Sequence, residues 1–225
     1  MMAAKNSNDK ALSPAVSTAA GRSWPARHPL LFTFLLSAVI VWGVGAVAYI
    51  YFYPHLIFNA WEKAYVNQGV SPAENGAPAV GIPVNTLYAM PDLASPSAKN
   101  ANLLVGANHD TLYTFGFLDL SKEPEVLHVP DMAGRYYSVE FVDSWWDVFA
   151  YVGRRTTGTQ AGDFLITGPG WRGTVPAGLT QISSPDNTVL LLGRVLVESD
   201  SDLATAYGLE KQIQITPLSH WQPGQ

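Results

Sequence analysis

An uninterrupted apolar stretch near the start of the chain contrasts with a long region in which apolar and polar residues alternate. No charged residue occurs from Leu30 to Tyr53, and no polar stripe runs along this segment. As a helix it would be about 36 Å long at roughly 1.5 Å per residue, enough to cross a hydrocarbon core of about 30 Å. We therefore predict a membrane anchor over residues 29–53, preceded by a disordered cytoplasmic tail over residues 1–28.

The charges that flank the apolar segment predict its orientation. The basic residues among the first 29 positions all precede it: Lys5, Lys10, Arg22 and Arg27. The positive-inside rule places that end in the cytoplasm, so we predict a single-pass protein of the inner membrane with its larger part in the periplasm. A cleaved signal peptide is the alternative, because Ala46-Val47-Ala48 matches a small-x-small cleavage pattern. A buried core helix is a third interpretation, against which the missing polar stripe counts.

Beyond the anchor, the hydrophobic period becomes two. Tyr137, Val139 and Phe141 alternate with residues on a more polar face, which is the pattern of a strand with one buried side. Short strands separated by glycine- and proline-containing turns are typical of a β-sandwich or open barrel, so we predict a mainly β, antiparallel sandwich. The other predicted strands are Thr111–Leu120, Val126–Val129, Phe164–Thr167, Leu179–Ser183 and Val189–Val197.

One or two short helices complete the predicted layout. Residues 54–83 are predicted to hold a juxtamembrane helix over Leu56–Val66 and a linker, with Pro54 ending the membrane helix because proline interrupts helical hydrogen bonding. The β domain is predicted over residues 84–225. Its last part is predicted to contain a helix over Asp202–Ile213 and a polar tail over Thr216–Gln225.

Composition narrows the possible functions. Of the 225 residues, 48% are hydrophobic and 14% charged, and the net charge is −5 at pH 7. This balance offers no electrostatic attraction to nucleic acid, so no nucleic-acid partner is predicted. The chain has no cysteine, which excludes disulfides and thiolate metal sites.

Polar and charged residues recur among the predicted strands and turns. A guanidinium group matches the geometry of carboxylates and phosphates, so arginines beside carboxylates can form an anion or sugar site. In the structural alternative, Asp110 caps a turn and Arg135 pairs with Asp143. Arg194, a charge inside an apolar strand, needs a partner. The predicted polar pocket consists of Asn108, Asp110, Tyr113, Arg135, Tyr137, Asp143, Arg155 and Arg194.

Other constellations carry weaker chemical signals. Four aromatic residues can stack on a sugar or lipid headgroup, or pack in the core: Trp145, Trp146, Phe149 and Tyr151. No known metal cage has the spacing of His109, Asp110 and His128. Neither Ser138 nor Ser144 lies in a nucleophile elbow. We therefore predict no metal, no cofactor and no serine nucleophile.

Several short motifs occur along the β region. They are Asn108-x-Asp110-Thr111-Leu112-Tyr113, Asp119-Leu120-Ser121-Lys122-Glu123-Pro124, Gly134-Arg135-Tyr136-Tyr137-Ser138, Asp143, Gly153, Arg155-Thr156-Thr157-Gly158, Ala161-Gly162-Asp163, Gly168-Pro169-Gly170-Trp171 and Arg194. Together these motifs resemble one known family, the domain of unknown function 1254. The resemblance covers roughly residues 84–218 and implies a mostly β fold of jelly-roll type, with no agreed activity.

Two departures from the family pattern affect what the resemblance implies. His109 stands where members usually carry another residue, so His109 inherits no family role. Many members continue into a second β domain, the domain of unknown function 1214, whereas this chain stops at Gln225. We therefore expect a separately encoded partner with a 1214-like domain to supply the missing half of any site between the two domains.

Three functional hypotheses follow from these patterns. The first is a membrane-anchored, extracytoplasmic β domain that binds an envelope component or a partner protein. The second is an enzyme acting on an envelope or exported small molecule, with Asp110, Arg135 and Asp143 as acid, base and binding groups. The third is a domain that completes a site by assembly, for which an exposed apolar patch would be a sign. Convergence of those three side chains in one open pocket would favour the enzyme.

Overall fold

The computed structural model describes residues 23–68, 81–93 and 108–223. The chain divides into two compact units, Met1–Tyr49 and Ile50–Gln225. Most of the predicted tail over residues 1–28 lies outside the described residues. Its described part contains a short helix, α1 (Trp24–Arg27).

The second helix, α2, runs without interruption over Pro29–Gln68 and includes Pro54 in its interior. The prediction that Pro54 ends the membrane helix is therefore wrong. Packing of the following turns outweighs the lost hydrogen bond, because Phe58 and Tyr65 are both buried in the second unit. By length and composition α2 can cross a membrane. A signal sequence has the same properties, so the choice between anchor and signal stays a prediction.

The described part of the β domain forms two sheets. The five-stranded sheet is antiparallel throughout, with the order β1-β2-β8-β4-β5. The four-stranded sheet has the order β7-β6-β3-β9. The strands are β1 (Tyr88–Ala89), β2 (Thr111–Asp119), β3 (Glu125–Val129), β4 (Tyr137–Val142), β5 (Val148–Gly153), β6 (Gly162–Thr167), β7 (Leu179–Ser183), β8 (Thr188–Leu196) and β9 (Gln214–Pro217).

The mainly β prediction is confirmed, with one exception to the antiparallel rule. Strands β6 and β7 pair in parallel, with Asp163 opposite Leu179 and Thr167 opposite Ser183. The connection over residues 168–178 carries the chain back to the level where β6 begins, which is the crossover that parallel pairing requires. The prediction of antiparallel pairing is therefore wrong for β6 and β7.

The end of the domain agrees with the prediction in part. The helix predicted over Asp202–Ile213 is confirmed as α3 (Leu203–Glu210), which ends earlier than predicted and follows a short 3-10 helix, Asp200–Asp202. The tail predicted to begin at Thr216 is instead part of β9, which pairs with β3 through Ile215 opposite Leu127. A four-residue edge strand is too short to show a period of its own, so only pairing reveals it.

Side chains from both sheets contribute to one buried cluster. Its members include Leu112 of β2, Leu127 of β3, Phe141 of β4, Ile166 of β6 and Leu191 of β8. Burial of these apolar groups is the main force that holds the two sheets in one domain. The finer prediction, a sandwich of jelly-roll type, stays a prediction.

A second buried cluster covers the opposite face of the five-stranded sheet. Phe58 and Tyr65 of α2 pack there against Phe115, Phe117 and Leu190. The phenol of Tyr65 donates a hydrogen bond of 2.8 Å to the carbonyl oxygen of Phe115. Because side chains alternate across a strand, residues further along this face at Tyr113 and Arg194 point the same way. Those residues form the candidate site.

Candidate functional site at Arg194

A cavity of about 530 Å³ lies on the helix-facing side of the five-stranded sheet. It is lined by the start of β2, the residue before β4 and the end of β8. Four of the eight predicted site residues meet there, namely Asn108, Asp110, Tyr113 and Arg194. The complete lining is Asn108, His109, Asp110, Thr111, Tyr113, Tyr136 and Arg194.

Strand register brings the two halves of this pocket together. Tyr113 of β2 lies opposite Arg194 of β8, and Arg194 lies opposite Ser138 of β4. Residues directly opposite one another on antiparallel strands have neighbouring side chains. The pocket therefore combines residues about 80 positions apart in the sequence, and it does so in the most extensively paired part of the sheet.

Asn108 organises the turn that forms one wall. Its Oδ1 accepts hydrogen bonds of 3.1 Å from the backbone N–H groups of Asp110 and Thr111. Its Nδ2 donates to the Thr111 hydroxyl and to the Thr111 carbonyl oxygen. Asn108, rather than Asp110, is thus the residue that closes this turn, which is the usual Asx-turn role of asparagine. The side chains of His109 and Asp110 are left exposed at the rim.

Arg194 is the most unusual group in the pocket. Its guanidinium carbon lies 5.4 Å from the centre of the Tyr113 ring, a cation–π contact. Its Nε is buried and has no hydrogen-bond partner among the described residues. The ion pairs of the described residues do not include Arg194 either. The face of the Tyr113 ring is thus the partner that a charge inside an apolar strand needs. The Nε–H of the guanidinium is left without an acceptor among the described residues.

Tyr136 is a site residue that the sequence analysis did not single out. It lines the cavity, and the guanidinium of Arg155 lies 5.6 Å from its ring centre. Arg155, on the loop after β5, is therefore adjacent to the pocket through Tyr136 without lining it. The signal was available, because Tyr136 precedes Tyr137 in an alternating strand and must face away from the core.

A carboxylate lies further along the same face. Glu140 of β4 acts on Tyr151, whose pKa is raised first by burial and then by the neighbouring Glu140 charge. The positive charge of Arg194 acts on Tyr151 in the opposite direction. The face therefore carries one cation and one anion close enough to influence a common tyrosine, although Arg194 and Glu140 form no ion pair.

Arg135 lies outside the pocket, and its partner is not the one considered in the sequence analysis. Its guanidinium donates to both carboxylate oxygens of Asp202, with 2.8 Å between Nη2 and Oδ1, and to the Leu196 carbonyl oxygen at 2.7 Å. The Arg135 interaction lowers the pKa of Asp202 to about 2. The alternative of an ion pair between Arg135 and Asp143 is wrong. Arg135 instead joins the start of β4 to the segment before α3.

Asp143 and Tyr137 also lie outside the pocket lining, where each stabilises the fold. The Oδ1 of Asp143 accepts hydrogen bonds from the N–H groups of Trp145 at 2.8 Å and Asp147 at 3.0 Å, which closes the β4–β5 turn. Tyr137 is almost completely buried in the main cluster, and burial raises the pKa of its phenol. Asp110, Arg135 and Asp143 therefore do not converge on one pocket.

Two buried carboxyl groups lie elsewhere in the domain. Glu210, the last residue of α3, accepts a hydrogen bond of 2.8 Å from the Thr114 hydroxyl, and burial raises its pKa to about 8. Glu125 of β3 is also buried, and its pKa is raised to about 7, chiefly by burial. In each group the Oε2 atom has no partner among the described residues. Both groups are therefore held largely or partly protonated at neutral pH.

The described residues contain no cluster of three histidine or carboxylate side chains that could hold a metal ion. His128, one of the three residues weighed as ligands, lies 2.7 Å from Asp163 through its Nδ1. His109 and Asp110 remain at the rim of the Arg194 pocket, away from that pair.

A family model described as a protein of unknown function, DUF1254, matches residues 84–217. The chain belongs to the DUF1254 family. The match contains every residue that lines the Arg194 pocket, so the pocket is part of the DUF1254 domain. It confirms the family resemblance drawn from the sequence motifs. No curated protein matches the chain.

Two solved structures resemble this DUF1254 protein. The VPA0106 protein from Vibrio parahaemolyticus is 30% identical, with a TM-score of 0.56 over 76% of this chain and 37% of that chain. A putative uncharacterized protein from Burkholderia cenocepacia is 11% identical, with a TM-score of 0.37 over 61% of this chain and 36% of that one. The chain thus spans little more than a third of the Vibrio structure.

Proposed function

We propose that this protein is a membrane-anchored, extracytoplasmic β domain that binds a small carboxylated sugar in the Arg194 pocket. The observation that carries the proposal is the guanidinium of Arg194, which lies beside the Tyr113 ring in an open cavity with its Nε unpaired among the described residues. A half-buried cationic group with a buried, unpaired Nε–H favours an anionic ligand, because pairing recovers the hydrogen bond lost on burial.

The rest of the lining supports a sugar rather than a bare anion. Tyr113 and Tyr136 supply ring surfaces at the cavity wall. The Asn108 amide and the Thr111 hydroxyl are bonded to each other, so the exposed side chains of His109 and Asp110 at the rim are the polar groups left for ligand hydroxyls. Aromatic rings with nearby polar groups suit a ligand that has apolar faces and a polar edge. A volume of about 530 Å³ lies within the usual range for small-molecule sites.

The proposed location depends on α2. Its apolar part is long enough to cross a membrane, and the basic residues before it favour a cytoplasmic N-terminus. A reporter enzyme that is active only outside the cytoplasm, fused after Gln225, is expected to be active. Activity of a cytoplasm-dependent reporter at the same position would reverse the orientation.

The enzyme hypothesis loses its proposed catalytic set, because Arg135 pairs with Asp202 and Asp143 closes a turn. Assembly with a separately encoded partner that carries a 1214-like domain remains a proposal. Co-purification from native membranes tests it, and recovery of this protein without such a partner would count against it.

Ligand binding is tested by calorimetric titration of the full chain in detergent micelles with D-glucuronate, and with D-glucose as the uncharged counterpart. We expect binding of glucuronate only. Replacement Arg194→Met is expected to weaken binding roughly 10- to 150-fold, from the 1.5–3 kcal/mol typical of a hydrogen bond to a charged group.

The matched control is Arg172→Met, because Arg172 is exposed and lies outside the pocket lining. It removes the same charge and should leave glucuronate affinity unchanged. Equal affinity for glucose and glucuronate, or equal losses in the two variants, would refute the assignment of Arg194 as the anion-binding group.

A further inference from the structure

An exposed apolar surface extends across two elements of the second compact unit. One part is Ile50–Tyr53, the first residues of that unit, in which Ile50 is 71% exposed and Tyr51 64% exposed. The other part is the β4–β5 turn with the half-buried Trp145, and Val148, which is 41% exposed at the start of β5; the exposed Asp147 lies between them in the sequence. Exposed apolar groups on two neighbouring elements mark an interaction site.

Ring contacts hold the turn against the helix at one level. The Trp145 ring centre lies 5.3 Å from that of Tyr51 and 5.8 Å from that of Phe52. It also stacks on His55, with 5.3 Å between the ring centres. Tyr51 and His55 are four residues apart, about 6 Å along a helix at roughly 1.5 Å per residue. Along the direction of the helix axis, Trp145 therefore lies level with the turn from Tyr51 to His55.

The neighbouring Trp146 fixes the conformation of the turn. Its φ of 66° lies in the left-handed region, which is costly for a bulky side chain. Its Nε1 donates a 2.9 Å hydrogen bond to the carbonyl oxygen of Pro54, and its ring meets Phe58 and Trp61 edge-on. These contacts hold the strained turn in place, so Trp145 is presented at a defined height beside the helix.

We propose that this surface docks on the lipid headgroups of the bilayer that α2 crosses, with Trp145 and Val148 entering the headgroup layer beside Ile50–Tyr53. The inference rests on the proposed membrane anchoring. A lipid surface is the occupant because Ile50–Tyr53 is the end of the uncharged segment that begins at Leu30. Tryptophan and tyrosine prefer the membrane interface.

The dimensions agree with this placement. A bilayer is about 40–45 Å thick including headgroups, and its hydrocarbon core is about 30 Å thick, which leaves roughly 5–7 Å of headgroup layer on each side. The uncharged segment is about 36 Å long at roughly 1.5 Å per residue, about 6 Å longer than the core, so with Leu30 at one boundary its last four residues, Ile50–Tyr53, lie in the opposite headgroup layer. Trp145, which is held against Tyr51 and Phe52, then lies at headgroup depth.

The chain has no cysteine, so a single introduced cysteine carries a label without background. Val148→Cys places the label on the proposed surface. Gln160→Cys is the matched control, because Gln160 is exposed in the loop beyond the opposite end of β5. Each full-length variant is labelled with the fluorophore NBD and reconstituted into phosphatidylcholine vesicles, with or without brominated phosphatidylcholine, which quenches only nearby fluorophores.

We expect bromine quenching of the label at position 148 and none at position 160, and loss of the quenching when Trp145→Ala is added to Val148→Cys. Equal, unquenched fluorescence at both positions in protein that floats with the vesicles would overturn docking while leaving anchoring intact. A label at 148 that is shielded from iodide in water but not quenched by bromine would indicate a protein occupant and overturn the lipid assignment. Failure of the unlabelled chain to float would overturn anchoring, and docking with it.

Discussion

The buried carboxyl of Glu210 leads to a quantitative prediction about pH and stability. Glu210 is fully buried, and its Oε1 accepts the hydrogen bond from Thr114. Its pKa rises from 4.5 to about 8, because burial disfavours the charged form more than the Thr114 hydrogen bond favours it. The perturbation is Glu210→Gln, which keeps the size of the side chain and an acceptor for Thr114 but cannot ionise.

The direction in which stability changes with pH follows from which state of the protein binds the Glu210 proton. Between pH 4.5 and about 8 the folded state keeps the Glu210 proton, whereas the unfolded state releases it. The contribution of this proton to the unfolding free energy is therefore fully present below pH 4.5 and decreases as the pH rises towards 8. From pH 5 to pH 8 this linkage lowers the unfolding free energy by about 3 kcal/mol. Glu210→Gln removes that loss. The titration of Glu125 occurs in both proteins and cancels in the comparison.

Thermal unfolding of the full chain in detergent, followed by tryptophan fluorescence at pH 5, 7 and 8, measures the effect. For a domain of this size about 3 kcal/mol corresponds to roughly 6–12 °C in Tm. We expect the Tm of Glu210→Gln minus that of the wild type to grow by this amount from pH 5 to pH 8. Glu198→Gln, at an exposed position, controls for the loss of an acidic residue. A difference that stays constant with pH would refute the argument that Glu210 is buried with its proton.

Three further predictions concern stability. Phe58→Ala should lower the unfolding free energy of the β domain by about 3–5 kcal/mol, because Phe58 is fully buried, whereas Leu56→Ala, at a 51% exposed position of the same helix, should change it little; denaturant titration compares them. Asp202→Asn should destabilise by about 1–2 kcal/mol at pH 7 after allowance for solvent screening. That difference should persist above pH 3.8 and vanish as the pH falls through about 2, because the Arg135 interaction lowers the pKa of Asp202; thermal scans down to pH 2 test this. Ala133→Gly should raise the unfolding free energy by about 0.5 kcal/mol and the Tm slightly, because Ala133 has a φ of 50°, which glycine adopts more readily. A lower Tm would contradict the inference that the backbone is strained at Ala133.

Much of the sheet could be predicted from the sequence, because alternation is a local property. Tyr137, Val139 and Phe141 are all buried on one face of β4, as their spacing predicts. Strand β5 was not predicted, since its residues have no clean alternation and its edge position leaves Val148 and Tyr151 exposed. Pro54 shows the same limit in a helix: its local effect is to end a helix, but burial of Phe58 and Tyr65 in the following turns outweighs that effect.

The candidate site likewise has one part that the sequence predicts and another that only the tertiary structure determines. The sequence by itself determined which residue types were available, and it placed Asn108, Asp110 and Tyr113 together because they are near neighbours in one motif. Only the tertiary structure decided that Arg194 joins them, because strand register sets it opposite Tyr113. It also decided that Arg135 pairs with Asp202, because folding brings the segment before α3 to the start of β4. Asp143 lies beyond the other end of β4, and an extended strand of six residues keeps its ends about 20 Å apart.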